Sequence, residues 1–149
     1  MTLTIYYSSG HGMTKRAATR IAQRLGTLAT VVHINEAEPS RVGRDPGVAM
    51  FLAPTYGDEE LHDEMHRFIE SVAPQIRDRA FVVGELGNTY GYDDQSYGAM
   101  RNRRNRLLRH GGVEYFGPIS IDSFPRQDWE TLDRWTDGLA ERIRADAGS

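Results

Sequence analysis

Hydroxyl and glycine residues follow the first apolar segment of the chain at close spacing. Residues Thr4–Thr14 read Thr-Ile-Tyr-Tyr-Ser-Ser-Gly-His-Gly-Met-Thr, and an amphipathic segment, Lys15–Leu25, comes next. A strand that turns into a helix in this way presents backbone N–H groups, hydroxyls and the positive end of the helix toward one point. The pattern predicts a phosphate-binding loop formed by Ser9, Gly10, His11, Gly12, Met13 and Thr14.

Two other phosphate-binding designs fit this segment less well. A P-loop requires Gly-x-x-x-x-Gly-Lys followed by Ser or Thr, and the chain contains no such string. The dinucleotide fingerprint Gly-x-Gly-x-x-Gly is matched at Gly10 and Gly12, but Lys15 stands where a third glycine would let helix and strand approach closely. Glu36 follows the second predicted strand and could bind a ribose, so this alternative stays open, as does a turn that binds nothing.

Strand and helix patterns alternate along the whole chain. The predicted strands are 3–7, 30–34, 48–53, 80–86 and 113–121, and the predicted helices are 15–25, 61–72, 95–109 and 128–145. Segments 48–53 and 80–86 are apolar almost without alternation, as expected of strands buried on both faces. Gly111-Gly112 predicts a helix end, and Gly117-Pro118 a bend in the last strand. The alternation predicts an α/β fold, an open parallel sheet of five strands with helices on both faces.

Composition narrows the class of protein. The chain has 149 residues, of which 39% are hydrophobic and 26% charged, and we expect one domain over residues 1–149. No apolar run has the length of a membrane span and no secretory signal is recognisable, so we expect no membrane association and a cytoplasmic protein. The absence of cysteine excludes disulfides, thiolate catalysis and cysteine-ligated clusters. A net charge of −3 argues against a nucleic-acid partner.

Two further segments carry residues suited to an aromatic ligand. Ligands of open parallel sheets bind beyond the carboxyl ends of the strands. The third predicted strand leads into Pro54, Thr55, Tyr56, Gly57 and Asp58, and the fourth into Leu86, Gly87, Asn88, Thr89, Tyr90, Gly91 and Tyr92. Each segment combines glycine, a polar side chain and tyrosine. Tyrosine rings can enclose a flat heterocycle while loop amides bond its polar edge.

Taken together, the three segments resemble those of the short-chain flavodoxins and of the FMN-binding domain of diflavin reductases. Ser8–Thr14 resembles the hydroxyl-rich phosphate loop of that family, Pro54–Asp58 its first flavin loop, and Leu86–Tyr90 the Gly-Leu-Gly-Asn…Tyr loop of the diflavin enzymes. The resemblance implies a flavodoxin-like strand order of 2-1-3-4-5 and FMN as the cofactor. It also implies an electron carrier without catalytic residues of its own, which shuttles single electrons between a separate reductase and an acceptor protein.

The resemblance assigns cofactor-binding roles to residues of all three segments. They are Ser9, Gly10, His11, Gly12, Met13, Thr14, Pro54, Thr55, Tyr56, Gly57, Asp58, Leu86, Gly87, Asn88, Tyr90 and Tyr92. Either Tyr90 or Tyr92 can supply the outer stacking ring. His11 stands where the family usually has threonine, and it either donates to phosphate when protonated or points to solvent. Glu85 replaces a usual small residue, and a carboxylate near the ring would disfavour the reduced, anionic flavin.

Three charged segments have more than one interpretation. Residues 58–64 hold five acidic side chains, which suit a docking surface for basic partners or simply the start of a helix. The segment Arg101–Arg109 holds five arginines, which form a solvated helix face or recognise an acidic partner. His62 and His66 have helical i, i+4 spacing, but no third ligand accompanies them, so we predict no metal site.

Other functions are compatible with the same fold. A flavin-dependent NAD(P)H:quinone or flavin reductase would need a nicotinamide pocket, for which no segment is recognisable. A receiver domain needs an aspartate at the end of the third strand, where this chain has Ala53-Pro54-Thr55. A flavoprotein activator of a metalloenzyme would be consistent with the arginine-rich segment. The electron carrier is the interpretation that accounts for all three loops.

Overall fold

Alternating strands and helices are found where the sequence predicts them, with ends that differ by no more than two residues. A computed structural model describes residues 1–8, 12–54, 59–87, 93–122 and 128–147. Strands β1 to β6 are Leu3–Tyr7, Ala29–His33, Val48–Pro54, Ala80–Gly87, Val113–Glu114 and Ile119–Asp122. Helices α1 to α5 are Met13–Leu25, Pro39–Val42, Glu59–Val72, Asp93–Arg109 and Trp129–Ala147. Short 3-10 turns cover Gly26–Leu28, Ile34–Glu36 and Ala73–Gln75.

The strands form one parallel sheet. Its order is β2-β1-β3-β4, and both β5 and β6 pair with β4 on the far side. Because the chain passes from β2 over β1 to β3, the order of strands reverses beside β1. The predicted parallel sheet with order 2-1-3-4-5 is confirmed, with the fifth position shared by two short strands.

The fifth strand is interrupted as Gly117-Pro118 predicts. β5 pairs with the start of β4 and β6 with its end, from Gly84 to Gly87. Pro118 has no N–H to donate to a strand ladder. The carbonyl of Gly117 instead accepts a hydrogen bond from Trp135 Nε1 of α5 at 2.9 Å. A side chain of α5 therefore satisfies a backbone carbonyl at the point where the strand is interrupted.

Alternate residues of the central strands supply two hydrophobic cores. Along β3, Met50 and Leu52 belong to the core under α1 and α5, whereas Phe51 and Ala53 belong to the core under α3 and α4. All seven residues of β3 are buried. This burial on both faces explains why the strand is apolar without alternation.

Glycine ends helix α4. Gly111 has a φ of 89°, and its N–H donates to the Leu108 carbonyl at 3.0 Å. The N–H of Gly112 donates to the Leu107 carbonyl at 2.9 Å. Glycine adopts the left-handed conformation without a Cβ clash, so the predicted helix end is confirmed.

Two arginine–aspartate pairs join α1 to α5. Arg20 binds Asp133 through both carboxylate oxygens, at 2.7 and 2.8 Å, and Arg24 binds Asp137 in the same way. The hydrogen bond from Arg20 is the main reason why the pKa of Asp133 is lowered. Within the described residues, none of the helices has the length and apolarity needed to cross a membrane.

Candidate functional site

The carboxyl ends of β1, β3 and β4 lie side by side at one edge of the sheet. Leu52 is in register with Tyr7 of β1 and with Gly84 of β4. The N–H of Ser8 donates to the Leu52 carbonyl at 3.2 Å, which extends the ladder beyond the end of β1. Since β1, β3 and β4 all end here, the predicted phosphate and flavin segments begin at a common edge.

Most of the predicted ligands lie outside the described residues. They are Ser9, Gly10, His11, Thr55, Tyr56, Gly57, Asp58, Asn88, Tyr90 and Tyr92. The structure does describe Gly12, Met13, Thr14, Pro54, Leu86 and Gly87. These residues lie at the ends of the three segments.

Helix α1 begins at this edge with its first N–H groups uncapped by any described side chain. Gly12 precedes the helix with φ 82°, a left-handed conformation that favours glycine, and its carbonyl accepts from the Arg16 N–H at 3.0 Å. A Cβ at Gly12 would meet nothing within 4 Å, so the backbone conformation rather than space calls for glycine. The first turn contains no acidic residue. The start of α1 therefore suits an anion.

Two buried hydroxyls lie at the ends of this turn. Ser8 is 0% exposed and Thr14 1% exposed. Neither hydroxyl oxygen has a hydrogen-bond partner in the part of the chain that the structure describes. A buried hydroxyl left unsatisfied costs about 1–3 kcal/mol. Phosphate oxygens would accept from both groups, so the residues present fit the phosphate of FMN.

Ser8 is a candidate donor to the phosphate that is absent from the predicted cofactor-binding residues, which begin at Ser9. Ser8 and Ser9 are consecutive serines at the end of a strand, and adjacent strand residues point to opposite faces. The pattern of residue types does not tell which of the two hydroxyls is turned inward. The register of β1 against β3 decides this, because it continues through Ser8.

The remaining described candidates are buried at the ends of their strands. Pro54 and Gly87 are the last residues of β3 and β4, and both are buried. Leu86 is fully buried in the core under α1 and α5, and Met13 packs against that core. The part that these four residues play in binding a flavin stays a prediction.

The arginine-rich segment of α4 is not one solvated face. Arg103 is only 4% exposed, and its burial lowers the pKa of its guanidinium, while the charge of Glu85 acts in the opposite direction. Arg104 forms a bidentate pair with Glu114 of β5. Of the two interpretations of this segment, the solvated helix face is therefore wrong for Arg103, which is buried.

The two other charged segments are described in part. His66 Nε2 lies 3.1 Å from Glu70 Oε1, and the side chain of His62 lies outside the described residues. A search of the described residues finds no group of three or more side chains able to hold a metal ion. Within the acidic segment 58–64, only the side chain of Glu64 is described, and it is half-buried.

Comparisons with known proteins agree with the fold. The sequence model of the Flavodoxin family matches residues 5–134. A flavodoxin from Streptococcus pneumoniae TIGR4 superposes with a TM-score of 0.78 at 22% identity, over 98% of this chain and 99% of its own. Flavodoxin 1 from Bacillus cereus gives 0.77 at 19% identity, over 97% and 98% of the two chains. Megasphaera elsdenii flavodoxin gives 0.72 at 21% identity, over 94% and 99%.

None of the curated protein sequences compared with the chain is a significant match. The structural likeness, at these identities, shows the shared fold. The family match adds a sequence relationship over most of the chain, and the family implies a flavin cofactor, generally FMN. The carboxyl ends of β1, β3 and β4 lie side by side, no described side chain caps the start of α1, and the family model matches residues 5–134. These observations lead to one conclusion. This chain belongs to the flavodoxin family.

Proposed function

We propose that the protein is an FMN-binding electron carrier that receives single electrons from a separate reductase and passes them to an acceptor protein. The observation that carries the proposal is the pair of buried hydroxyls of Ser8 and Thr14 beside the start of α1, for which the described residues supply neither a hydrogen-bond partner nor a side-chain cap. Family membership supports the flavin rather than a dinucleotide as the ligand.

The phosphate end of the site would use backbone and side-chain donors together. Ser8 and Thr14 donate through hydroxyls that have no described partner. Ser9, Gly10, His11, Gly12 and Met13 complete the loop between β1 and α1, and glycine allows the backbone to approach the phosphate closely. Because α1 begins here, its positive end adds to the attraction for the phosphate dianion.

The ring end of the site would be formed by the segments after β3 and β4. We assign the inner side to Pro54, Thr55, Tyr56, Gly57 and Asp58. The outer side is assigned to Leu86, Gly87 and Asn88 with Tyr90 or Tyr92. Tyrosine rings bury the heterocycle and exclude water, and backbone amides orient its polar edge.

Bound FMN supplies one-electron chemistry that no side chain of the protein provides. One electron enters from the reductase and one leaves to the acceptor, so the protein returns to its starting state. We assign the acidic segment 58–64 as a docking surface for basic partners, because opposite charge speeds encounter and favours one orientation. One domain over residues 1–149 is part of the proposal, and a cytoplasmic location stays an expectation from the sequence.

An absorbance spectrum of protein purified without added flavin tests the proposal directly. We expect the spectrum of a bound flavin, and calorimetric titration of the apoprotein with FMN should show saturable binding. Riboflavin, which lacks the phosphate, should bind more weakly than FMN. A colourless protein that takes up no FMN would refute the proposal. Steady oxidation of NADH or NADPH by the protein alone would identify it instead as a flavin-dependent reductase.

A further inference from the structure

Strand β4 carries a carboxylate inside the core. Glu85 is fully buried, two residues before the end of β4 at Gly87. Its Oε1 accepts a hydrogen bond at 3.1 Å from Ser120 Oγ, which belongs to the residue paired with Glu85 on β6. Burying an ionised carboxylate costs several kcal/mol unless hydrogen bonds and an opposite charge compensate it.

Arg103 supplies the opposite charge from α4. It is 4% exposed, and Leu107, one turn further along the helix, is fully buried in the core with Phe81 and Val83 of β4. The helix thus packs on β4 through Leu107, and Arg103 lies one turn earlier on the same face of the helix. Arginine keeps its proton in proteins, so Arg103 contributes a positive charge to this part of the core. The charge of Glu85 raises the pKa of Arg103 against the effect of burial.

The position of this pair gives it a connection with the proposed flavin site. β4 ends at Gly87 and α4 begins at Asp93, and residues 88–92 join them. Those residues include Asn88, Tyr90 and Tyr92, which we assign to the ring. Glu85 and Arg103 therefore belong to the two elements that flank this loop, with Glu85 two residues before the end of β4 and Arg103 ten residues after the start of α4.

From this arrangement we infer that Glu85 and Arg103 are a charge-compensated pair that sets the reduction potential of the flavin, with Arg103 cancelling the negative charge of Glu85. The inference rests on the proposed function. Adding an electron to the flavin is opposed by a nearby negative charge and favoured by a positive one, and inside a protein such charges are poorly screened. The compensation changes the sequence expectation for Glu85, whose carboxylate alone would disfavour the reduced, anionic flavin.

Four variants separate this electrostatic role from a structural one. Glu85→Gln removes the carboxylate, Arg103→Met removes the guanidinium, and the double variant removes both charges. Arg104→Met is the matched control, because it deletes the same charge from the neighbouring residue, whose partner Glu114 lies on β5. The midpoint potentials of both one-electron steps of bound FMN are measured by spectroelectrochemistry, from neutral to alkaline pH. The range extends to alkaline pH because alkaline pH favours the ionised form of any carboxylic acid.

The two single variants are expected to shift the potentials in opposite directions. Glu85→Gln should raise the midpoint potentials and Arg103→Met should lower them. At a fixed applied potential, the ratio of reduced to oxidised flavin should change on the order of tenfold in each case. The double variant should return close to the unmodified protein, and Arg104→Met should stay close to it throughout. If Arg103→Met does not fold, a rise in Glu85→Gln that the double variant abolishes supports the inference equally.

Two results would overturn the inference. One is a shift of both single variants in the same direction, which indicates a general disturbance of the loop. The other is FMN binding with potentials that no variant changes. Urea unfolding of the apoproteins is an independent readout, and it should show a lower midpoint in each single variant than in the double variant. Failure of the unmodified protein to bind FMN would refute the proposed function, whereas the apoprotein result would still test the pair.

Discussion

Replacing Thr14 by valine should affect the empty and the FMN-bound protein in opposite directions. Valine has the shape of threonine without the hydroxyl, and the two have similar helix propensity. In the apoprotein, the Thr14 hydroxyl is 1% exposed and unpartnered among the described residues. Removing an unsatisfied buried hydroxyl removes a desolvation cost of about 1–3 kcal/mol, so the apoprotein should gain about 1–2 kcal/mol of stability.

Binding should change with the opposite sign. A hydrogen bond to a charged group contributes about 1.5–3 kcal/mol, so loss of the bond from Thr14 to the phosphate should raise the Kd for FMN by roughly 10–100-fold. The affinity for riboflavin should hardly change, since riboflavin has no phosphate. Urea unfolding of the apoprotein measures the first effect, and fluorescence titration with both flavins measures the second.

Thr136→Val is the matched control. Thr136 is also fully buried in a helix, but its hydroxyl already donates to the Leu132 carbonyl at 2.7 Å. Its replacement should bring no gain in apoprotein stability and no change in FMN affinity. The reasoning fails if Thr14→Val destabilises the apoprotein and leaves the Kd for FMN unchanged, because the hydroxyl would then serve the fold and not the ligand.

Three further changes test other parts of the structure. Gly84→Ala should lower the free energy of unfolding by about 1–3 kcal/mol, because its Cβ would lie 2.9 Å from Leu52 Cδ1. Urea unfolding measures this loss, and an unchanged midpoint would mean that the neighbouring strands β3 and β6 move to accommodate the methyl group. Asp133→Asn should cost about 0.5–1 kcal/mol at neutral pH, since its pair with Arg20 is partly exposed. The pKa of Asp133 in the folded protein is below its ordinary 3.8. The pair therefore stabilises the protein fully above pH 3.8, and this stabilisation is lost as the pH falls through the folded-state pKa. A difference in stability between Asp133→Asn and the unmodified protein that persists in strong acid would contradict this. Tyr56→Ala should weaken FMN binding by about 1–3 kcal/mol through lost aromatic burial, and an unchanged affinity and spectrum would remove Tyr56 from the site.

The sequence alone was sufficient for the layered fold because its signals are local. The unbroken apolar run of β3 marks a strand covered on both faces, and all of its residues are buried. Gly111-Gly112 marks the end of α4, where only glycine accepts the backbone conformation without strain. Residues Thr4–Thr14 likewise locate the start of α1, while the anion-binding character of the turn before it stays a prediction.

Other properties depend on contacts between residues far apart in the chain. From the sequence, Arg103 belongs to a solvated helix face or to a surface for an acidic partner, and no residue pattern places it near Glu85. Both are buried, since a strand and a helix bring opposite charges together and Ser120 adds a hydrogen bond. In the same way, the hydrogen bond to Leu52 extends the ladder through Ser8, which is buried.

Local patterns of residue types thus determined the elements, their order along the chain and the segments able to bind a phosphate and a ring. The tertiary structure alone decided which of the described hydroxyls are buried without a described partner and which charged side chains are buried. Whether a polar side chain is buried, and what surrounds it, depends on the packing of one element against another. The energies of these contacts arise only when β1, β4 and α4 are packed in place.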